Sequence, residues 1–479
     1  MLNRISISSK SGVIKKLNRT TASLPQQRKV KVLQFGGGNF LRAFADWIID
    51  VMNEKVGFDG AVQIIQPVHN RKGVITDTQD GLYHVIINGI KTGKPYQETR
   101  LITCVDEILN PFENFEVYLK TAENPDLQFI LSNTTEAGIM FNAADTNSHT
   151  LPESFPGKLT TLLYHRFTFF KGAHDKGLII MPCELIDKNG EALKKVILHY
   201  IDHWKLSDDF KNWIINSNIF CNSLVDRIVP GFPKDTAKEL QRATGYEDNL
   251  MVMAEPFHLW VIEAPDFVQE LFPAHKAGLN VKFVKDMAPY RTSKVRILNG
   301  GHTALVPVAY LNGLRTVRDA VEDKATGEYL RNVIFNEIIP TLDLLSKEEL
   351  HQFAHDVMER FQNPFIRHEL MSIALNSISK FKVRVLPSIL KYIEVKKQLP
   401  EHLTLSLAAL IRFYKGEWKG EGIPLNDTPE VLAFFKQAWA TNDAAVVVHQ
   451  TLSNKDFWGI DLTTVDGLEA KLINDLKSL

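Results

Sequence analysis

The sequence predicts an α/β fold, with an N-terminal doubly wound parallel sheet followed by a mainly α-helical C-terminal domain. Three observations predict it. From Lys29 onward, short β-branched or apolar runs alternate with longer helical patterns, the rhythm of strands joined by helices. A glycine cluster, "FGGGNFLRAF", lies between the first strand and the first helix. After Val284 the periodicity is helical almost throughout. The chain of 479 residues is long enough for two or three cores. It divides into a basic arm (1–28), an α/β domain (29–284) and a helical domain (285–479).

Composition narrows the class. A formal net charge of −1, with no Lys/Arg stripe interleaved with aromatics, argues against nucleic acid. No apolar run approaches the ~18 residues that cross a bilayer, and the N-terminus lacks the apolar core of a secretory signal, so no membrane partner is expected. The three cysteines, Cys104, Cys183 and Cys221, are scattered and without CxxC spacing, which suits a reducing cytoplasm. No Asp or Glu precedes Asp46, and the first residues are rich in Ser and Thr, a composition shared with organelle transit peptides. Because the strand pattern starts immediately afterwards, the stretch reads as a mobile basic arm. The oligomeric state is left open, and a monomer is compatible with everything above.

The elements follow in order. "KVKVLQF" (29–35) is a strand, "NFLRAFADWIIDVMNEK" (39–55) an amphipathic helix and "AVQIIQPV" (61–68) a second strand. "LQFILSN" (127–133) and "GLIIMPCEL" (177–185) are buried strands, the latter followed by a helix at 191–204. In the glycine cluster, Gly36 and Gly38 supply the first two glycines of G-x-G-x-x-G, while Leu41 occupies the third position. A strand, a glycine turn and a helix make the context in which a pyrophosphate rests on backbone N–H groups. Phe35, Gly36, Gly37, Gly38, Asn39 and Phe40 are therefore the candidate dinucleotide loop of a Rossmann-type domain. The second strand ends in Gln66 and Pro67 where an acid usually holds the ribose, so this rule leaves NAD versus NADP open. Arg42 either reaches a phosphate or is a solvated surface arginine.

Candidate chemistry clusters at strand ends and on one helix. In "SNTTEAG" (132–138), Thr134, Thr135 and Glu136 either line a nicotinamide site or cap a helix. Asn189 and Gly190 form a turn before a helix. In "SLVDRIVPGFP" (223–233), Asp226 and Arg227 sit inside an apolar run, where unpaired charge is costly, so each must have a partner. In "KVRILNGGHT" (294–303), at about 100° per residue, Asn299 lies about 140° and His302 about 80° from Lys294, one broad sector on which three polar groups converge. Gly300 and Gly301 each cost roughly 1 kcal/mol in a helix interior, so either the helix breaks there or something comes close to the backbone. We read them as the place where substrate or cofactor approaches. The Tyr290/Lys294 spacing recurs at Tyr392/Lys396 and carries no weight. No histidine has a partner at metal-ligand spacing, so no metal is expected. What remains is a lysine base: a secondary alcohol that loses hydride to a nicotinamide must also lose its hydroxyl proton. Asn299, and a second amide such as Asn189, then donate to the developing alkoxide, and His302 positions the hydroxyl.

At these residues the chain resembles the polyol-specific long-chain dehydrogenases, the mannitol dehydrogenase family. The marks are K-x4-N-x2-H, here Lys294, Asn299 and His302, and "VDRIVP" (225–230). "QFGGGNFLRAFADW", "SNTTEAGI", "PCELIDKNG", "KVRILNGGHTALVPVA" and "MSIALN" are most similar to the members that interconvert D-altronate and D-tagaturonate. The resemblance implies an NAD-linked, metal-free oxidoreductase of hexuronate breakdown acting on a small sugar acid. It implies Lys294 as general acid/base, Asn299 and Asn189 as oxyanion donors, His302 on substrate, and Asp226 and Lys380 as substrate contacts. Three departures stand out: Arg291 three residues before the lysine and Ser372 eight before Lys380, where polyol members tend to carry an acid and an arginine, and the neutral "QPV". A sugar acid also needs a cation for its carboxylate, with Arg360, Arg367, Lys380 and Arg384 nearby in sequence.

Overall fold

Strands that read as unbroken apolar runs become strands buried on both faces of a parallel sheet. In the computed structural model, which describes residues 14–24, 28–66, 79–134 and 138–479, the chain forms two compact units. The first comprises Met1–Gly89 and Pro95–Met287, the second Ile90–Lys94 and Ala288–Leu479.

In chain order the first unit carries β1 (Val30–Phe35), α1 (Asn39–Ala43), α2 (Ala45–Lys55), β2 (Ala61–Ile65), β3 (Tyr83–Lys91), β4 (Lys94–Ile102), β5 (Val105–Leu109) and β6 (Phe129–Ser132). Then follow α3 (Phe155–Phe169), β7 (Ile179–Pro182), α4 (Asn189–His203), α5 (Asp208–Ser217), β8 (Ile219–Phe220), β9 (Asn222–Asp226), β10 (Val252–Ala254), β11 (Leu259–Glu263) and β12 (Val281–Val284). The main sheet has the order β5-β2-β1-β6-β7-β8 and is parallel throughout. This is the 3-2-1-4-5-6 order of a doubly wound nucleotide-binding sheet, with its switch point between β1 and β6. One face packs on Phe44, Trp260 and Phe272. The other packs on Tyr118, Phe155 and Trp213. Two three-stranded sheets, β10-β3-β4 and β9-β11-β12, complete the unit.

Three expectations change here. The helix expected over 39–55 breaks at Phe44 (φ −122°, ψ −75°), which stacks on Phe40 at 4.9 Å. Pro67 and Val68, expected in the second strand, lie outside the described residues. The arm is in part docked: Lys15–Lys16 pair in parallel with Tyr246–Glu247, Leu17 is buried, and the Arg19 guanidinium donates to the carbonyl of Val105 at 2.7 Å. Strand pairing, the burial of Leu17 and the Arg19 hydrogen bond tie down this part of the arm, expected to be mobile.

Two polar residues hold the α/β layer from inside. Asn189 is 0% exposed. Its Nδ2 donates to the carbonyls of Pro182, Glu184 and Ser223, each at 3.0 Å, and its Oδ1 accepts the Ser223 N–H at 2.8 Å. It staples the end of β7 to β9. Asp46, also 0% exposed, accepts the Tyr83 hydroxyl at 2.7 Å beneath the glycine loop. Burial outweighs that hydrogen bond, a weak one from Gln34 and the charge of Arg42, and pushes its carboxyl up to about 7.

The second unit is helical apart from one hairpin of two-residue strands, Glu417–Trp418 with Glu421–Gly422. Its helices include α6 (Ala288–Ser293), α7 (Gly301–Leu311), α8 (Lys324–Arg331), α9 (Lys347–Phe361), α10 (Ser377–Arg384) and α11 (Glu401–Phe413). Between α6 and α7 runs a π-helical stretch, Lys294–Gly300, and α8 continues into a second, Asn332–Ile338. The second π segment turns Glu337 inward, where its carboxylate accepts the N–H groups of His402 and Leu403 at the start of α11.

Removal of the Asn189 staple leaves three carbonyls and one N–H without their buried partner, so Asn189→Ala is expected to cost about 3 kcal/mol. The check is the melting temperature of the purified variant, and an unchanged value contradicts the assignment. For Asp46 the folded carboxyl holds its proton to about 7 while the unfolded one releases it near the ordinary aspartate value of 3.8. Its stabilising contribution is complete below that lower value and is lost as pH rises through the upper one. The full effect is roughly 4 kcal/mol. Melting temperature is expected to decline between about pH 4 and 7 in the wild type and to level off above that, and this decline is expected to flatten in Asp46→Asn.

Candidate active site

The dinucleotide half is built at the carboxyl end of β1, next to the switch point. Gly36 takes φ +115°, a region that favours glycine, and a Cβ there would meet the carbonyl oxygen of Asn133 at 3.3 Å. Its N–H donates to the carbonyl of Ile65 at 2.9 Å, which ties the turn to β2. Gly38 is exposed, a Cβ on it would meet nothing within 4 Å, and no side chain caps the helix that starts after it. The backbone thus faces open space where a pyrophosphate must approach closely, and the loop fits a dinucleotide.

Arg42 is neither solvated nor aimed at a phosphate. It is buried, and its guanidinium donates to the carbonyls of Gly37 (3.0 Å) and Leu250 and to the side chain of Asn39 (2.9 Å). Holding the Gly37 carbonyl from behind fixes the loop's peptide planes. Asn39 joins this bracing through its Oδ1, its amide nitrogen would lie 2.7 Å from a Cβ on Gly231 (φ +99°), and the residue is exposed. The Phe35 side chain is in the core against Tyr118 and Phe155, so the cofactor contact expected of it is limited to its backbone. Arg227 is buried over the Trp47 ring at 4.3 Å and donates to the carbonyls of Ala43 (2.7 Å) and Glu255 (2.9 and 3.0 Å). Asp226, beside it at the end of β9, is also buried.

At the neighbouring strand ends Glu184, which sequence reasoning passed over, is the organising group. Its carboxylate accepts the Thr134 N–H, the Thr134 hydroxyl and the Ser132 hydroxyl, each at 3.0 Å, and burial raises its pKa. Thr134 is thereby fixed by its own hydrogen bonds, whereas Thr135 and Glu136 lie outside the described residues. The available signal was an acid inside the apolar run "IIMPCEL". Asn189, expected as a second oxyanion donor, has both ends of its amide engaged by backbone and no exposed surface. That expectation is corrected: the residue is a structural staple.

The substrate half lies on the second unit, and its geometry differs from that of a plain α-helix. A π turn takes up about one residue more than an α turn, so each residue advances ~80° and Asn299 falls ~40° from Lys294 instead of ~140°. With α winding resumed at Gly301, His302 falls ~40° to the other side and Thr303 at ~60°. On this winding Lys294, Asn299 and His302 fall within one sector of about 80°, and each is half-buried. His302 stacks on Phe361 (centroids 4.0 Å apart, 21°) and meets His368 edge-on at 5.1 Å. Burial lowers the pKa of His368.

The paired glycines do not mark a ligand approach. A Cβ on Gly300 would lie 3.0 Å from the carbonyl of Arg384, and one on Gly301 3.2 Å from Ile334. They admit α10 and the second π segment. Arg296 fastens the same junction by donating to the carbonyls of Val383 and Arg384. Of the cations named for a carboxylate, Arg367 is exposed and paired with Glu369, and Arg360 is buried at the end of α9. Lys380 and Arg384 lie on α10, one turn apart. Among the described residues no three His, Cys, Asp or Glu side chains gather as a metal-holding group, and no helix is long and apolar enough to cross a membrane.

Comparison with known proteins agrees with this architecture. Family models match over residues 30–275, described as the mannitol dehydrogenase Rossmann domain, and 286–479, described as the mannitol dehydrogenase C-terminal domain. An altronate oxidoreductase of Phocaeicola vulgatus is 47% identical over 97% of each chain. One from Bacillus subtilis is 46% identical over 95% of this chain and 94% of that one. A D-sorbitol dehydrogenase structure in substrate-free form superposes with a TM-score of 0.80 at 24% identity, covering 96% of this chain and 97% of the other. Mannitol 2-dehydrogenase of Pseudomonas fluorescens, solved with NAD and D-mannitol, gives 0.66 at 22% identity over 97% and 96%. With a dinucleotide loop on a doubly wound sheet, a helical second unit and both family models matched along nearly its whole length, the chain belongs to the mannitol dehydrogenase family.

Proposed function

We propose that this protein is an NAD-dependent oxidoreductase that interconverts D-altronate and D-tagaturonate in hexuronate catabolism, using a lysine acid/base and no metal. The observation that carries the reading is the single face of the π turn on which Lys294, Asn299 and His302 stand. Near-full-length similarity to altronate oxidoreductases supports the substrate, and the NAD held by the related mannitol 2-dehydrogenase supports the cofactor. The buried thiols Cys104, Cys183 and Cys221 accord with a cytoplasmic setting.

The glycine loop from Gly36 to Phe40, with Thr134 at the next strand end, would hold the dinucleotide, which would supply hydride acceptance or donation. In the oxidative direction Lys294 removes the proton of the reacting hydroxyl, and in the reductive direction it returns that proton to the oxygen. Asn299, just above it on the π turn, donates its amide N–H to the same oxygen as negative charge develops. His302, held flat by Phe361, accepts or donates a hydrogen bond to the substrate hydroxyl and sets its orientation. Asp226 and Lys380 are the further substrate contacts of this reading.

The test follows NADH and NADPH oxidation with tagaturonate, fructuronate and fructose. Tagaturonate with NADH is expected to be the preferred pair. Lys294→Ala is expected to lose at least 10²-fold in turnover while NADH affinity stays within a few-fold. A wild type inert towards all three ketoses, or a Lys294→Ala enzyme near full activity, overturns the proposal.

A further inference from the structure

Around Gly300 three cations come together, and among the described residues none of them is in a salt bridge. Arg296 lies on the π segment, and Lys380 and Arg384 lie at i and i+4 on α10, so they share one side of that helix. All three are half-buried. Among the described residues none has a carboxylate oxygen within 4 Å. Arg296 is spent on the carbonyls of Val383 and Arg384, and Lys380 donates to the carbonyl of Ile373 at 2.9 Å. Asp427, the acid that influences Lys380, is itself engaged by the Tyr414 hydroxyl and the Ile378 and Thr428 N–H groups. Arg384 differs from the other two. Among the described residues its guanidinium donates only to the Thr303 hydroxyl, at 3.4 Å, so most of its five N–H donors remain available.

Position makes this informative. The carbonyl of Arg384 rests on Gly300, at ~120° from Lys294 around the π turn, while its side chain crosses to Thr303 at ~60°, next to Asn299 at ~40°. The guanidinium therefore reaches from the packed side of the helix towards the face that carries Lys294, Asn299 and His302. Burial holds the Arg384 guanidinium below its ordinary pKa range, and burial with the neighbouring Arg384 charge does the same for the Lys380 ammonium. Desolvated cations without counter-charge are costly unless an anion completes the site. Sugar acids carry one on a carbon that does not react.

We propose that Arg384, aimed by Thr303, receives the carboxylate of the substrate and makes the site select sugar acids over uncharged ketoses and polyols, with Lys380 as the second cation. This rests on the sugar-acid reading given above. The planar fork of an arginine suits a carboxylate, and a lysine in its place keeps the charge but not the paired hydrogen bonds.

The experiment measures binding without turnover. Wild type, Arg384→Met, Arg384→Lys and Thr303→Val, each saturated with NADH, are titrated with D-altronate and with altritol, its uncharged counterpart. Wild type is expected to bind altronate at least 30-fold more tightly than altritol. That preference is expected to fall below threefold in Arg384→Met and to be partly restored in Arg384→Lys. Thr303→Val is expected to fall between, with NADH affinity and melting temperature unchanged in all variants. A wild type without preference, or an Arg384→Met protein that keeps it, overturns the proposal. Should Arg384→Met not fold, an undiminished preference in both Arg384→Lys and Thr303→Val overturns it equally. Tagaturonate reduction by the wild type is assayed in parallel: an Arg384-dependent acid preference without that turnover rejects the reaction assignment and leaves the carboxylate site standing.

Discussion

One turn of helix wound with an extra residue is the constraint from which the substrate half follows. Regular α winding places the amide of Asn299 well round the helix from Lys294, whereas the π turn over Lys294–Gly300 brings them nearly into line. Such a turn has poorer backbone hydrogen bonding than an α turn and persists only where packing holds it. Here the packing is visible: Gly300 lies flush on the carbonyl of Arg384, Gly301 on Ile334, and Arg296 clamps the end of α10. Two glycines that weaken an isolated helix are what let neighbouring elements approach closely against the π turn.

The first unit solves a different problem with the same economy of means. Its glycine loop must leave N–H groups facing outward, so the loop is braced from behind by buried cations bonded to carbonyl oxygens. Arg42 takes Gly37 and Leu250, and Arg227 takes Ala43 and Glu255. Both guanidiniums donate to neutral oxygens, which satisfies their donors in the core, while buried Asp46, Asp248 and Glu255 supply negative charge nearby. Asp46 lies in the same layer, where burial pushes its carboxyl up to about 7.

Polar residues at the strand ends divide into scaffold and surface. Asn189 and Glu184 look alike in sequence, both polar and both just after an apolar strand, and both are turned inward to hold loops. Gly38 and the start of α1 are left facing outward. The chemistry offered by a residue type is therefore realised only when the backbone around it has no prior claim on its hydrogen bonds.

By itself the sequence determined the α/β class, the strand at 30–35 and its glycine turn, the buried strands near 129 and 179, the helical character of the second half, and the family. These depend on local pattern: β-branched runs, glycine at a turn, a period near 3.6. Tertiary structure decided the rest. The hairpin of β3 and β4, turned at Thr92–Gly93, escaped pattern reading although it is local, and the small sheet of β9, β11 and β12 escaped it because its pairing is long-range. The break at Phe44 follows stacking on Phe40 and Trp260 that no local propensity encodes. Whether Arg42, Arg227 or Asn189 faces solvent, ligand or backbone depends on which carbonyls the fold brings within 3 Å, and those come from residues as distant as Leu250 and Ser223. The spacing of Lys294, Asn299 and His302 was legible in the sequence. Their alignment was not, because the choice between α and π winding is made by the helices packed against that turn.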